Sequence, residues 1–231
     1  MNIPDLRAEL EADRIWREDE VRKLQNLGGN LSSDQEKDQY RRSLILMLYA
    51  HFEGFCKFAL SLYCSAINRA RIQCEQADFA LAAASLAPLF RDLRNPQKKS
   101  DIFRHSLPDD AKLHVFAREA EFVQRSAQLL GRTVEIPDGV VDMESNLTPT
   151  VLSKNLFRLG FRHDAFEAWY GDINKLLEFR NKIGHGEMRS GIAEKAYTDL
   201  RASVDRVMTG VTVVVIRSLE ERDYLRMESM Y

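Results

Sequence analysis

An apolar run from Leu44 to Ile67 constrains the fold more than any other feature of this sequence. It reads LILMLYAHFEGFCKFALSLYCSAI, and its apolar residues fall on two opposite sides of the helix that the spacing predicts. Just upstream, Ser33 and Glu36 have the spacing of a capping box, so the helix is expected to begin there and to continue to about Arg71. A helix that is apolar on two sides must be covered on both, either by lipid or by other helices.

Three ionisable residues in the middle of this run favour cover by other helices. The run is long enough to span a bilayer, but His51, Glu53 and Lys57 lie at its centre, where each charge would be costly in hydrocarbon. We therefore predict an all-α helical bundle built around a long central helix, with no membrane contact.

The composition agrees with a globular protein of the cytoplasm. The chain has 231 residues, of which 45% are hydrophobic and 29% are charged, and its formal net charge is −2. Such a chain can bury a core, which excludes general disorder. Cys56, Cys64 and Cys74 lack metal-ligand spacing and indicate buried free thiols in a reducing compartment. The first residues, MNIPDLRAELEADR, lack the basic start and apolar core of a secretory signal.

Helical periodicity continues through most of the chain. Further helices are predicted over residues 4–27, 76–93, 110–130, 150–159, 165–183 and 191–226, the last of them interrupted near Gly210. Residues 132–150 break the pattern. Within them, a small β-hairpin can form near 133–142, because Asp138-Gly139 is a favoured two-residue hairpin turn.

The segment from Asp164 to Gly186 carries the candidate chemistry. Its apolar stripe continues into Arg180, an always-charged group that must find a carboxylate, a phosphate or water. His185 follows between two glycines, where the helix is expected to end. An arginine or a histidine at such an end can also simply stabilise the helix dipole. On an ideal helix these two side chains point about 140° apart, so they converge only if the helix unwinds at Gly184 or if a second chain completes the site.

The hexapeptide from Arg180 to His185, RNKIGH, resembles the R-x4–6-H motif of HEPN-domain proteins, in which a polar residue follows the arginine. Residues 49–57 (YAHFEGFCK) resemble the aromatic–Glu–Gly segment of bacterial HEPN-like nucleases, including the RiboL-PSP-HEPN-like subfamily. Residues 146–160 are similar to the connector before the motif helix of those proteins. The resemblance extends in patches over about residues 35–220.

This resemblance implies one HEPN-like domain over residues 1–231. Its N-terminal helix lies within 1–30 and its motif helix within 164–186. The helix over 1–27 and the irregular insertion over 73–145 match nothing in the resemblance.

Many HEPN proteins are metal-independent endoribonucleases of toxin–antitoxin and antiviral systems, and they act as dimers whose two motif helices line one cleft. By this resemblance, His185 transfers protons, Arg180 binds a phosphate, and Asn181 orients either of them. The implied products are RNA with a 2′,3′-cyclic phosphate and RNA with a 5′-hydroxyl, formed without a metal or another cofactor. The implied partners are an RNA substrate, a second copy of the chain and a cognate antitoxin protein.

Two supporting residues and two other functions remain open. Glu53 and Lys57 have the spacing of a helix ion pair, but Glu53 can instead face the motif helix and pair with Arg180. As an alternative function, a non-catalytic HEPN module would use the same arginine to bind a nucleotide, or would bind a partner protein. In a third reading, the chain is a structural helical protein and the motif arises by chance.

Overall fold

The computed structural model describes residues 2–103 and 110–226, and this part of the chain is all-α, as predicted. Its α-helices are α1 (Ile3–Gly29), α2 (Asp34–Ala70), α3 (Phe79–Ser85), α4 (Ala87–Arg94), α5 (Ala111–Leu130), α6 (Pro149–Arg158), α7 (Tyr170–Gly184) and α8 (Glu194–Glu221). Short 3₁₀ turns lie at Asp101–Phe103, Asp138–Val140 and Glu167–Trp169.

Helix α2 is the centre of a bundle that it forms with α1, α7 and α8. It packs against all three, and α8 also contacts α1 and α7. Large side chains such as Phe52, Phe55 and Tyr63 are fully covered. α2 is long and apolar enough to cross a membrane, but 56% of its most apolar window is buried inside the protein. The apolar run is therefore the core of the bundle.

The ends of α2 follow the sequence signals. The hydroxyl of Ser33 accepts from the Glu36 N–H at 3.2 Å, and the Glu36 carboxylate accepts from the Ser33 N–H at 3.1 Å, which completes the capping box.

The three cysteines are buried and free, as predicted. Burial raises the pKa of Cys64 to about 12, so its thiol stays protonated at neutral pH.

The predicted β-hairpin near 133–142 is wrong. Asp138 and Gly139 lie in a 3₁₀ turn, and the backbone before them is held by distant partners. The Val134 N–H donates to the Ile72 carbonyl at 2.8 Å, and the Ile136 N–H donates to Oδ1 of Asn68 at 2.7 Å. These bonds to the end of α2 use the donors that a hairpin ladder would need.

Two other helix boundaries differ from the prediction. The helix predicted over 76–93 is two helices, α3 and α4, and Pro88 lies in the first turn of the second. Helix α8 continues through Gly210 without interruption. A Cβ at this glycine would lie 2.7 Å from a ring carbon of Phe166, so Gly210 allows close packing of that ring against α8 and does not break the helix.

Helices α3 to α6 form a smaller layer outside the bundle. α3 packs on α6 and on α4, α4 packs on α5, and α6 contacts α7. Most of this layer comes from the insertion over 73–145. It reaches the motif helix through α6 and the connector that precedes it.

Candidate active site

The motif helix α7 ends in a Schellman motif that fixes the position of His185. The Glu187 N–H donates to the Lys182 carbonyl at 2.8 Å, and the Gly186 N–H donates to the Ile183 carbonyl at 3.1 Å. Gly186 has a φ of +73°, a conformation that glycine adopts without steric cost. His185 is the C-cap residue immediately before this turn, and its side chain is exposed.

Helical hydrogen bonding continues as far as His185. Its N–H donates to the Asn181 carbonyl at 2.9 Å, so α7 does not unwind at Gly184. The side chains of Arg180 and His185 therefore leave the helix in directions about 140° apart. The first of the two routes by which they could converge, unwinding of the helix at Gly184, is therefore not seen in this structure.

Arg180 lies between an aromatic ring of α2 and the side chain that follows it. Its guanidinium carbon is 5.2 Å from the centroid of the Tyr49 ring, a cation–π contact. Nη1 donates to Oδ1 of Asn181 at 2.9 Å. Neither the Tyr49 ring nor the Asn181 amide is a carboxylate. Neutral groups therefore orient the half-buried guanidinium.

Tyr49 is in turn fixed by Glu53 and by the connector before α6. Its hydroxyl donates to Oε2 of Glu53 at 2.6 Å. The Leu147 N–H donates to the Tyr49 hydroxyl at 2.7 Å and to Oε2 of Glu53 at 3.1 Å. Burial, reinforced by the bond to Glu53, raises the pKa of Tyr49 well above its usual value. The phenol therefore stays neutral beneath Arg180.

The two supporting candidates differ in their surroundings. The Glu53 carboxylate bonds to the hydroxyl of Tyr49, whose ring contacts Arg180, and among the described residues no ion pair joins Glu53 to Arg180 itself. Lys57 is exposed, and among the described residues no ion pair joins it to Glu53. The helix ion pair is thus not formed, and Lys57 lies outside the contacts that orient Arg180.

The loop after the motif is tied to the beginning of α2. Nη1 of Arg42 donates to the Met188 carbonyl at 2.8 Å, and the Ile192 N–H donates to the Asp38 carbonyl at 2.8 Å. Helix α2 therefore supports the motif on both sides, through Tyr49 before it and Arg42 after it. The sequence analysis missed both residues, although the i, i+4 spacing of Tyr49 and Glu53 was a usable signal.

His51 belongs to the core and not to this site. It is buried between α1 and α2, where its ring meets Trp16 edge-on at 5.3 Å. Its Nε2 lies 3.0 Å from Oε2 of Glu20. Burial lowers the pKa of His51 despite that carboxylate.

Over residues 2–103 and 110–226, no group of three or more His, Cys, Asp or Glu residues could hold a metal ion.

Comparison with known proteins places this bundle and its motif in a family. A family model described as MAE_28990-like HEPN matches residues 6–224. The match includes the N-terminal helix and the insertion over 73–145, which the sequence resemblance had left unmatched. Searches of curated proteins and of solved structures found no match. Because the family model covers nearly the whole chain, including Arg180 to His185, the protein belongs to the HEPN family.

Proposed function

We propose that this HEPN protein is a metal-independent endoribonuclease. The observation that supports this most directly is the guanidinium of Arg180, which Tyr49 and Asn181 hold at the same helix end as the exposed His185 and which has no carboxylate partner among residues 2–103 and 110–226. A guanidinium binds phosphate oxygens through paired hydrogen bonds. A histidine can accept and donate protons near neutral pH.

In the proposed reaction, the 2′-hydroxyl oxygen of the RNA attacks the adjacent phosphorus and a base accepts its proton. The bond from phosphorus to the 5′-oxygen then breaks, and an acid donates a proton to that oxygen. The products are a 2′,3′-cyclic phosphate and a 5′-hydroxyl. His185 is the proton-transfer residue, Arg180 stabilises the charge on the phosphorane, and Asn181 orients Arg180 through their 2.9 Å bond. One motif supplies one histidine, so two chains supply the base and the acid.

The biological role that we propose is that of a toxin or antiviral effector in a bacterial cytoplasm, controlled by a cognate antitoxin protein. Family membership supports this role, because many HEPN ribonucleases act in such systems. Induced expression of the protein is then expected to arrest growth, and expression of the His185→Ala variant is not.

The decisive experiment is cleavage of labelled single-stranded RNA by the purified protein in EDTA. We expect His185→Ala and Arg180→Ala each to lower the rate by about 100-fold or more, the usual loss when an acid–base or charge-stabilising group is removed. His163→Ala is a matched control, since this histidine is exposed on another segment. The new ends should resist phosphatase until acid opens the cyclic phosphate. Cleavage that needs Mg²⁺, or that survives in both variants, contradicts the proposal.

One observation favours a second function, a non-catalytic HEPN module that binds a nucleotide or a partner protein. Among the described residues, neighbouring side chains hold Arg180 in place, and His185 follows five positions later, about 140° away on an ideal helix. An isolated chain could then bind a phosphate without cleaving RNA. Saturable nucleotide binding that Arg180→Ala abolishes, with no RNA product at a large excess of protein, would establish this alternative.

A further inference from the structure

Helix α5 has apolar residues on two opposite faces, and within the part of the chain that the structure describes only one of these faces is covered. The covered face includes Ala117 and Leu129, which are buried, and α5 packs on α4. The opposite face carries a seam with alternating three- and four-residue spacing: Leu113, Phe116, Ala120, Val123, Ala127 and Leu130.

This seam is larger than an ordinary scatter of surface apolar residues. Phe116 is 66% exposed, Val123 is 69% exposed and Leu130 is 39% exposed, and both alanines between them are exposed as well. From Leu113 to Leu130 the seam runs about 26 Å at 1.5 Å per residue. A continuous apolar stripe of this kind usually marks an interaction surface. Its spacing is that of the a and d positions of a coiled coil.

We propose that this seam pairs with α5 of a second copy of the chain, in an antiparallel arrangement. In such a pair, each a position lies opposite a d position of the other helix. Three kinds of layer result: Leu113 opposite Leu130, Phe116 opposite Ala127, and Ala120 opposite Val123. Each layer occurs twice, related by the two-fold axis.

The sizes of these side chains identify a second copy as the occupant. Four of the six layers combine a larger residue with an alanine. The larger side chain of one helix therefore fits into the space beside the alanine of the other. A parallel pair in register would place Phe116 against Phe116 and Ala120 against Ala120, which alternates crowded and empty layers. The sequence of the seam is therefore complementary to itself when one helix is reversed.

The charges beside the seam are compatible with the same arrangement. Glu119 comes opposite Ser126, and Gln124 on the other side of the seam is uncharged, so no like charges face each other. Antiparallel helices also bring the positive end of each dipole beside the negative end of the other. A single helix pair buries less surface than the roughly 1,200–2,000 Å² of a stable standard interface, so we expect association in the micromolar range.

This surface is separate from the motif. α5 lies in the outer layer on α4, whereas α7 belongs to the bundle. The inference therefore does not depend on ribonuclease activity. If the motif also pairs two chains, the two interfaces together link copies into assemblies larger than a dimer.

Disulfide trapping at the two ends of the seam tests both the occupant and the direction. Chains carrying Leu113→Cys are mixed with chains carrying Leu130→Cys at about 100 μM, well above the expected micromolar dissociation constant, and are then oxidised. The native cysteines are buried and should not form disulfides under these conditions. Antiparallel pairing predicts a mixed disulfide between the two variants and little product from either variant alone. Cross-linking of Leu113→Cys with itself contradicts the antiparallel direction and overturns the proposal. The absence of any cross-link also overturns it, and a helix of another protein is then the occupant that is left.

Sedimentation provides a second, independent readout. Val123→Glu places a charge in the middle of the seam and should shift association to at least tenfold higher concentration. Gln128→Glu adds the same charge to an exposed position beside the seam and should leave association unchanged. Both positions are exposed, so the two variants should melt at the temperature of the wild type. Equal association of Val123→Glu and wild type contradicts the proposal.

Discussion

The contact between Arg180 and Tyr49 is the residue-scale feature that gives the motif its shape. A carboxylate in place of the ring would orient the guanidinium equally well, but it would also neutralise the charge that the proposed phosphate contact needs. The ring avoids this competition, because a cation–π contact contributes only about 0.5–2 kcal/mol. Glu53 holds the Tyr49 hydroxyl at 2.6 Å, so its charge acts on the tyrosine and does not directly pair with Arg180.

We predict that the ring of Tyr49 matters more for cleavage than its hydroxyl. Tyr49→Leu removes the cation–π contact and should lower kcat/KM about tenfold, which corresponds to about 1.4 kcal/mol. Tyr49→Phe keeps the ring and should retain most of the activity, since the Leu147 N–H still bonds to Glu53. Steady-state cleavage of labelled RNA measures both effects.

A control separates this effect from simple loss of stability. Tyr63 is buried further along α2, and its hydroxyl shares a 3.2 Å hydrogen bond with Ser218. Tyr63→Phe should cost about 1 kcal/mol of unfolding free energy, as Tyr49→Phe should, without changing kcat/KM. If Tyr49→Leu cleaves RNA as fast as the wild type, Tyr49 does not position Arg180.

At the scale of elements, the end of α7 shows what the sequence could predict. The glycines on either side of His185 correctly indicated a helix end, because the left-handed C′ position of a Schellman motif favours glycine. The sequence did not show which glycine takes that position, and the structure assigns it to Gly186, whose φ is +73°. His185 is thereby fixed as the C-cap residue.

We predict that Gly186→Ala will both destabilise the protein and impair cleavage. A Cβ meets no neighbouring atom here, so the penalty comes from the left-handed backbone and should be about 1 kcal/mol. Relief of that strain would shift His185, so kcat should fall as well. Urea unfolding and single-turnover cleavage measure the two effects.

Gly171→Ala is the matched control for this substitution. Gly171 lies near the start of the same helix, also with open space around it and without a positive φ. The control should therefore be neutral or slightly stabilising. If Gly186→Ala matches the control in both stability and kcat, the Schellman turn does not position His185.

The elements that were predicted correctly and incorrectly differ in where their stabilising partners lie. Helices such as α2 and α5 were recognised because their periodicity and N-caps are local signals. At Gly210, the ring of Phe166 packs against the uninterrupted helix α8. The segment that was predicted as a hairpin is bonded instead to Ile72 and Asn68. These partners are distant in sequence, so no local pattern revealed them. The contact between Tyr49 and Arg180 was missed for the same reason.

At the scale of the whole molecule, the proposed cleavage calls for more proton-transfer groups than the motif of one chain supplies. Cleavage needs one group to accept a proton and another to donate one. One chain supplies one His185 in the motif, and α7 directs it about 140° away from Arg180. A two-fold dimer supplies two of each residue and allows the histidine of one chain to face the arginine of the other.

We therefore predict a dimer that buries more than roughly 1,000 Å² in total, with α7 packed against or beside its own copy and both His185 side chains opening onto one cleft. Mixing tests this directly. When excess His185→Ala is added to wild type, each mixed dimer keeps one motif histidine, so the activity per wild-type chain should fall steeply. The mixture should be made in a Val123→Glu background, which removes any contribution from pairing through α5. Activity per wild-type chain that stays constant, together with a monomeric sedimentation coefficient at micromolar concentration, would rule out the shared cleft.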